Sequence, residues 1–368
     1  MAREVAPIRA GSVPVRPGPV APVRVALDAR ALTDASAYRG IGTYVRNLVA
    51  ALADRTDISV TPVVPRHRLA PPRWATLEHH LRLPRELART PADVNHSPAL
   101  DPPRRSGRPW VQTIPDLLPL VSDDPAFALE RRRWRRWAPR VRRADAVVTF
   151  SRHSADQAAD RLGIDPARIH VIPLAAGPEF RPGDAAPPSR YVLYVGEYGP
   201  HKGLGEAAAL AAALASADLP HELWVAGRVV GDNRAPLEAA LGGAGPEARA
   251  RIRVLGWVPD LVPVYQGAAA LIVTSRHEGF GLPALEAMAC GTPVVAFANS
   301  ATTEVVGGGG ALAPDGDVPA LAAQLFGVLR SESRRADLVD AGLARAAEFS
   351  WRRTADAHAE VYRSVACG

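Results

Sequence analysis

From Val23 onward, short runs of β-branched and aliphatic residues alternate with Ala- and Leu-rich stretches of helical character, and the alternation occurs twice. In the first half the apolar runs are VRVALD at 23–28, ISVTPVV, ADVNHS, WVQTI and DAVVTFS, with helical segments such as GTYVRNLVAALADR between several of them. From RYVLYVGE at 190–197 the second half repeats the pattern through HELWVAG, RIRVLGW, AAALIVTS and TPVVAFA. Strands that are apolar throughout must be covered on both faces, and a helix between successive strands makes their pairing parallel. Two doubly wound α/β units follow. A length of 368 residues, more than one hydrophobic core usually supports, agrees with that division.

The segment PLAAGPEFRPGDAAPPSR at 173–190 is dense in Pro, Gly and Ala and reads as the connection. The expected organisation is a tail over 1–22, a first Rossmann-like domain over 23–182, a second over 183–349 and a terminal helix over 350–368. Beyond Asp317 the pattern is purely helical. Ser350 reads as the N-cap of a last helix that can cross back over the first domain. Ligands of such two-lobed architectures bind in the cleft, at the carboxyl ends of the strands.

The opening MAREVAPIRAGSVPVRPGPVAPV mixes Pro, Gly and Arg without an apolar h-region, so a disordered tail is expected there and not a signal peptide. No run reaches the roughly 18 apolar residues of a membrane span, and a cytoplasmic protein is expected. Cys290 and Cys367 are too few for a disulfide framework and read as free thiols. A formal charge of +6 permits an acidic partner without choosing one. The densest patch, ERRRWRRWAPRVRR, carries eight arginines between Arg131 and Arg143. At helical spacing Phe127, Trp134, Trp137 and Val141 share one stripe, and Pro139 is expected to kink or end the helix. Two readings of 127–143 stay open: a basic amphipathic helix lying on the anionic inner face of a membrane, or aromatics facing the core with solvated arginines. No nucleic-acid fold motif accompanies the charge, which leaves a polyanion binder as a distant alternative.

The stretch SRHEGFGLPALEAMACGTPVV concentrates the chemistry. A strand ends near Ser275, Gly279 and Gly281 keep the turn open, and Pro283 opens a helix whose free N–H groups suit a phosphate or diphosphate. Glu278 precedes the turn and Glu286 lies one turn inside the helix, where carboxylates can accept hydrogen bonds from sugar or ribose diols. Lys202, in GPHKGLGEAA, is the only lysine of the chain. An arginine-rich composition can keep a single lysine by chance, so its meaning depends on its neighbours.

This stretch resembles the retaining GT-B glycosyltransferases of family 4, whose hallmark is Glu, seven residues, Glu after a strand. The likeness extends over nearly all of the chain after residue 22, through VALDARALTDASAYRGIGTYVRNLVAAL, VVTFSRHSADQAADRLGI and FSWRRTADAHAEVY. It implies two Rossmann-like domains facing across a cleft and a last helix returning to the first. It also implies transfer of a hexosyl unit from a nucleotide diphosphate sugar to a hydroxyl acceptor, with no cofactor beyond the donor substrate. Carried over residue by residue, Glu278 approaches the donor sugar and Gly279, Phe280, Gly281 and Leu282 hold donor phosphate and hydroxyls through their backbone. Glu286 binds ribose, Gly40 and Gly42 let a glycine loop approach the donor, and Lys202 meets the leaving diphosphate. Asp116 belongs to the same donor site.

The pattern also departs from the family. Relatives commonly place His before Asp116, where this chain has Pro115, and many place an arginine near the lysine where this chain has Glu197 and His201. Arg228 is the candidate to restore that charge, and His96 the candidate to replace the histidine. Asp315-Gly316-Asp317 reads as a turn before a helix and not as a metal site, so no metal is expected. The departures keep a second reading alive, a catalytically weak donor-binding scaffold that partners another transferase.

Overall fold

The computed structural model describes residues 21–33, 40–64, 83–98, 107–183, 190–227 and 234–367. The strands of the first half are β1 (Val23–Asp28), β2 (Ile58–Val63), β3 (Val94–Ser97), β4 (Trp110–Ile114), β5 (Ala146–Thr149) and β6 (Ile169–Val171). They form one six-stranded sheet in the order β2-β1-β3-β4-β5-β6. The second half supplies β7 (Tyr191–Val195), β8 (Glu222–Ala226), β9 (Ile252–Gly256), β10 (Ala270–Val273), β11 (Val294–Ala298) and β12 (Ala311–Pro314). Their order is β12-β11-β10-β7-β8-β9. Every pairing is parallel. The central strands β3, β4, β5 and β10 are buried along their whole length, as apolar runs covered on both faces require.

Each sheet has one strand more than the apolar runs indicate. β6 and β12 are edge strands of three and four residues, partly exposed, and too short to register as a run. β2 is the other edge of the first sheet, which explains how it tolerates Pro62. In the second sheet the chain winds one way through β7, β8 and β9 and the other way through β10, β11 and β12. The order reverses between neighbours β7 and β10, which is where doubly wound sheets leave a crevice for ligands.

The terminal helix, Trp351–Cys367, starts at Ser350, whose Oγ accepts from Arg353 N at 3.2 Å, and crosses back onto the first domain. Two buried histidines bind it there through a chain of hydrogen bonds whose direction follows from its end. Thr354 O can only accept, so His358 Nδ1 carries the proton and donates to it at 2.7 Å. Burial holds His358 at about 4, hence neutral, and its Nε2 must accept from Tyr44 Oη at 2.7 Å. Thr113 Oγ1 then donates to Tyr44 Oη (3.2 Å) and accepts from His96 Nε2 (2.8 Å), and Tyr362 Oη donates to His96 Nδ1 (2.7 Å). His96 therefore does not replace a catalytic histidine. It is fully buried, both ring nitrogens are taken, and its work is to fasten the crossover helix.

The arginine-rich helix runs over Ala128–Val141 and ends two residues after Pro139. Pro139 lies in the last turn, where its missing N–H forfeits only the bond to the Arg135 carbonyl. Trp134 is 2% exposed and packs among Trp110, Ile114 and Val147, with Trp137 edge-on at 6.4 Å. Arg132, Arg133, Arg135 and Arg136 are exposed. Trp134, Trp137 and Val141 of the stripe belong to the core, Phe127 is half-buried against His201, Arg131 and Arg142 bond backbone carbonyls, and the four exposed arginines face solvent. Among the described residues no helix is long and apolar enough to cross a membrane.

Candidate active site

Two turns meet at the switch point of the second sheet. The first follows β7 and ends in a single helical turn, Pro200–Lys202. Gly203, at φ +64°, lets it lie on β10: a Cβ there would stand 2.0 Å from the Thr274 carbonyl oxygen. The Lys202 carbonyl accepts from Tyr194 Oη at 3.2 Å and from Thr274 Oγ1 at 3.3 Å, and Arg276 N donates to His201 O at 2.9 Å. The second turn follows β10 and carries Glu278, whose N–H donates to Ser300 Oγ at 3.0 Å.

So positioned, Lys202 Nζ lies 2.7 Å from Glu278 Oε1, with side chains only 20% and 13% exposed. Burial pushes the Glu278 carboxyl up, but the charge and hydrogen bond of Lys202, with a hydrogen bond from Ser275, outweigh it and hold the carboxyl below its ordinary value. Glu278 is ionised at neutral pH. His201 is the opposite case, driven to about 4 by burial and by Lys202, hence neutral.

Gly281, at φ +107°, starts the helix Leu282–Ala289, with Pro283 in its first turn. Glu286 on that helix accepts from Tyr265 Oη at 3.0 Å. Burial, with Glu179 nearby, pushes its carboxyl up to about 7 against the opposing hydrogen bond from Tyr265. The two glutamates thus differ: one is paired and ionised, the other is poised near neutrality.

The first domain closes on these turns. A Cβ on Gly279 would stand 2.2 Å from Pro115 O and 2.8 Å from Asp116 Cβ, so a larger residue would force the domains apart. Ser151 Oγ donates to Gly279 O at 2.9 Å. Glu304, on the helix Ser300–Val306 of the second domain, accepts from Arg152 N (2.9 Å) and His153 N (2.7 Å), the opening N–H groups of the first-domain helix Arg152–Leu162. A carboxylate at a helix N-terminus also meets the positive end of its dipole.

Lys202, Glu278, Gly279 and Asp116 are thus brought to one place, while Glu286 stands with Tyr265. Asp116 Oδ1 accepts from Leu118 N at 3.0 Å. Gly40 and Gly42 do not form a loop: they are the first turn of the helix Gly40–Ala53, and Gly40 faces Leu282 across the cleft, 3.8 Å from a Cβ position to Cδ1. The Phe280 ring is buried and edge-on to Phe349 at 5.9 Å, leaving only its backbone for a ligand. Arg228 lies outside the described residues. Asp317 caps the helix Val318–Arg330 by accepting from Ala320 N, and Asp315 accepts from Asn299. Among the described residues no group of three His, Cys, Asp or Glu side chains could hold a metal ion. Cys290 is buried and Cys367 exposed, both free.

Tyr265, Ser151, Glu304 and His277 were not legible as site residues. Their partners are distant in sequence, and three of the four work through contacts between domains. Only His277, adjacent to Glu278, offered a local signal.

Two family descriptions match, one per domain: Glycosyltransferase Family 4 over residues 38–179 and Glycosyl transferases group 1 over 189–331. The chain is 37% identical over 243 residues to the D-inositol 3-phosphate glycosyltransferase of Acidothermus cellulolyticus, an overlap of 61% of this chain and 54% of that one. It is 45% identical over 102 residues to the O-antigen chain mannosyltransferase B of Escherichia coli, 27% of each chain. The chain spans about half the length of most of the curated relatives it matches. Sucrose-phosphate synthase from Thermosynechococcus elongatus superposes with a TM-score of 0.71 at 22% identity, over 93% of this chain and 98% of that one. Anabaena HepE, solved with UDP-glucose, superposes with a TM-score of 0.69 at 18% identity, over 93% and 99%. Both likenesses establish the fold, two Rossmann-like domains of GT-B type.

Proposed function

Because the chain belongs to glycosyltransferase family 4, we propose that it moves a hexosyl unit from a nucleotide diphosphate sugar to a hydroxyl acceptor, with retention at the anomeric carbon and without a bound metal ion. The observation that carries this reading is the largely buried Lys202–Glu278 contact, 2.7 Å long, at the point where the second sheet reverses. An ammonium has three N–H donors, and Glu278 takes one, so two are left for diphosphate oxygens. As the bond from the anomeric carbon to the phosphate oxygen breaks, the charge growing on the diphosphate meets Lys202 in a water-poor setting, where a preorganised partner counts most. The acceptor hydroxyl attacks the same face and passes its proton to the departing phosphate oxygen. Glu278, kept ionised, lies against the positive charge that develops on the sugar.

Around that centre the backbone of Gly279, Phe280, Gly281 and Leu282 takes donor phosphate and hydroxyls, with the Gly40–Gly42 turn opposite and Asp116 at the closing edge. Glu286, oriented by Tyr265, takes the ribose diol. The names of the inositol 3-phosphate relative and of the UDP-glucose complex support a hydroxyl acceptor and a nucleotide donor. Pro115 favours a second reading, a donor-binding scaffold, because its side chain has no hydrogen-bonding group to offer the sugar.

For location we propose the cytoplasm, with charge-driven contact between Arg132, Arg133, Arg135 and Arg136 and an anionic inner membrane face. Trp134 is spent on the core, so binding to anionic vesicles should vanish near 0.5 M salt, where screening leaves only a few ångström of reach. The donor reading is tested by thermal unfolding with a panel of nucleotide sugars, followed by transfer assays. A bound donor at 100 times its Kd adds about 2.7 kcal/mol. A panel without any shift or transfer overturns the reading, and a shift without transfer favours the scaffold.

A further inference from the structure

Beside the Lys202–Glu278 pair, two buried imidazole nitrogens have no hydrogen-bond partner among the described residues: His201 Nδ1 and His277 Nε2. A buried polar atom without a protein partner can be satisfied by a group that arrives from outside, and at a ligand cleft the ligand is a candidate. The two histidines stand in different places. His201 belongs to the lysine turn, edge-on to Phe127 at 5.7 Å. His277 immediately precedes Glu278 and faces the other domain, its ring centroid 5.3 Å from that of His153.

The groups of the first domain around His277 are at least partly engaged. His153 Nε2 is bonded to Gln157 Nε2 at 2.9 Å, and Ser151 Oγ to Gly279 O. Pro115 presents only its carbonyl, directed at Gly279. Asp116 gives one oxygen to Leu118 N. Burial, then His153 and Lys202, lower the His277 pKa against the pull of Asp116 and Glu278, and the ring is neutral. A neutral imidazole keeps one N–H and one lone pair, so it can donate to a hydroxyl or accept from one, as recognition of a sugar hydroxyl requires.

We infer that His277 is a specificity-determining residue of the donor site, binding through Nε2 a hydroxyl of the transferred hexosyl unit from the second domain, where Pro115 of the first domain has nothing to offer. This rests on the donor reading above. On this assignment the nucleoside diphosphate without its sugar makes no contact with His277, and that difference gives the test.

Calorimetry with uridine and guanosine diphosphates and with their hexose conjugates is run on the wild type, His277→Phe and His277→Asn. The expected result is that His277→Phe keeps its diphosphate affinity within twofold and loses tenfold or more for the conjugate that the wild type prefers, while His277→Asn recovers part of the loss. An unchanged unfolding midpoint excludes a folding defect as the cause. Equal losses for diphosphate and conjugate, or no loss for either, overturn the assignment. Failure of the donor reading has its own signature, a wild type that binds no diphosphate at all, and it overturns the assignment as well.

Discussion

Replacing Glu286 by Gln should stabilise the protein and damage its site, and pH separates the two effects. Burial raises this carboxyl from 4.5 to about 7, so the folded state prefers the protonated form. A folded-state pKa above the unfolded one contributes stability that is complete below about pH 4.5 and is lost as pH rises through 7. The full shift corresponds to roughly 3 kcal/mol withheld at alkaline pH. Partial exposure screens the charge, and roughly 1–3 kcal/mol is the working range. Gln keeps the shape and an oxygen for Tyr265 Oη but carries no charge at any pH.

The unfolding midpoints of Glu286→Gln and wild type should therefore coincide near pH 4, diverge between about pH 4.5 and 7, and stay apart above that. At roughly 2–4 °C per kcal/mol the variant should end several degrees higher. The same substitution removes a charged acceptor from the proposed ribose contact, worth about 1.5–3 kcal/mol of donor affinity at pH 8. A midpoint difference that ignores pH, or a variant less stable at pH 8, refutes this account of Glu286.

The histidine chain under the crossover helix should make the protein acid-sensitive. Both His96 and His358 are neutral in the fold, so stability present above pH 6.5 is lost as pH falls, and His358 at about 4 alone accounts for roughly 3 kcal/mol; denaturant unfolding of His358→Asn at pH 7 and 4.5 should show a shallower decline than wild type, and an identical decline would argue against it. Glu304→Ala removes both contacts to Arg152 and His153 and should loosen the two domains at a cost of about 1–3 kcal/mol. Small-angle scattering should then report a larger radius, whereas an unchanged profile would mean that the remaining interdomain packing suffices.

Local periodicity determined most of the fold because central parallel strands are apolar throughout, and runs such as AAALIVTS declare themselves. The edge strands β6 and β12 escaped for the same reason, since three or four half-exposed residues make no pattern. At the site, the spacing of Glu278 and Glu286 and the lone Lys202 were legible within single segments. The Tyr265–Glu286 bond was not, for no periodicity links a tyrosine to a carboxylate 21 residues on. Glu304 and Ser151 depend on how one domain sits against the other, which neither half records in its own pattern. His96 looked available only because its partners, Tyr362 and Thr113, come from other elements.

The central claim is that Lys202 carries the charge of the departing diphosphate. It is tested most directly by initial rates of hexosyl transfer at saturating nucleotide sugar for wild type, Lys202→Ala and Lys202→Arg. Lys202→Ala should be slower by on the order of a hundredfold or more, as for loss of a preorganised donor. Lys202→Arg should recover only part of the rate, because a planar fork does not fit the place of a compact ammonium against Glu278. Near-equal rates for the three proteins would contradict the claim and reduce the 2.7 Å contact to a structural ion pair.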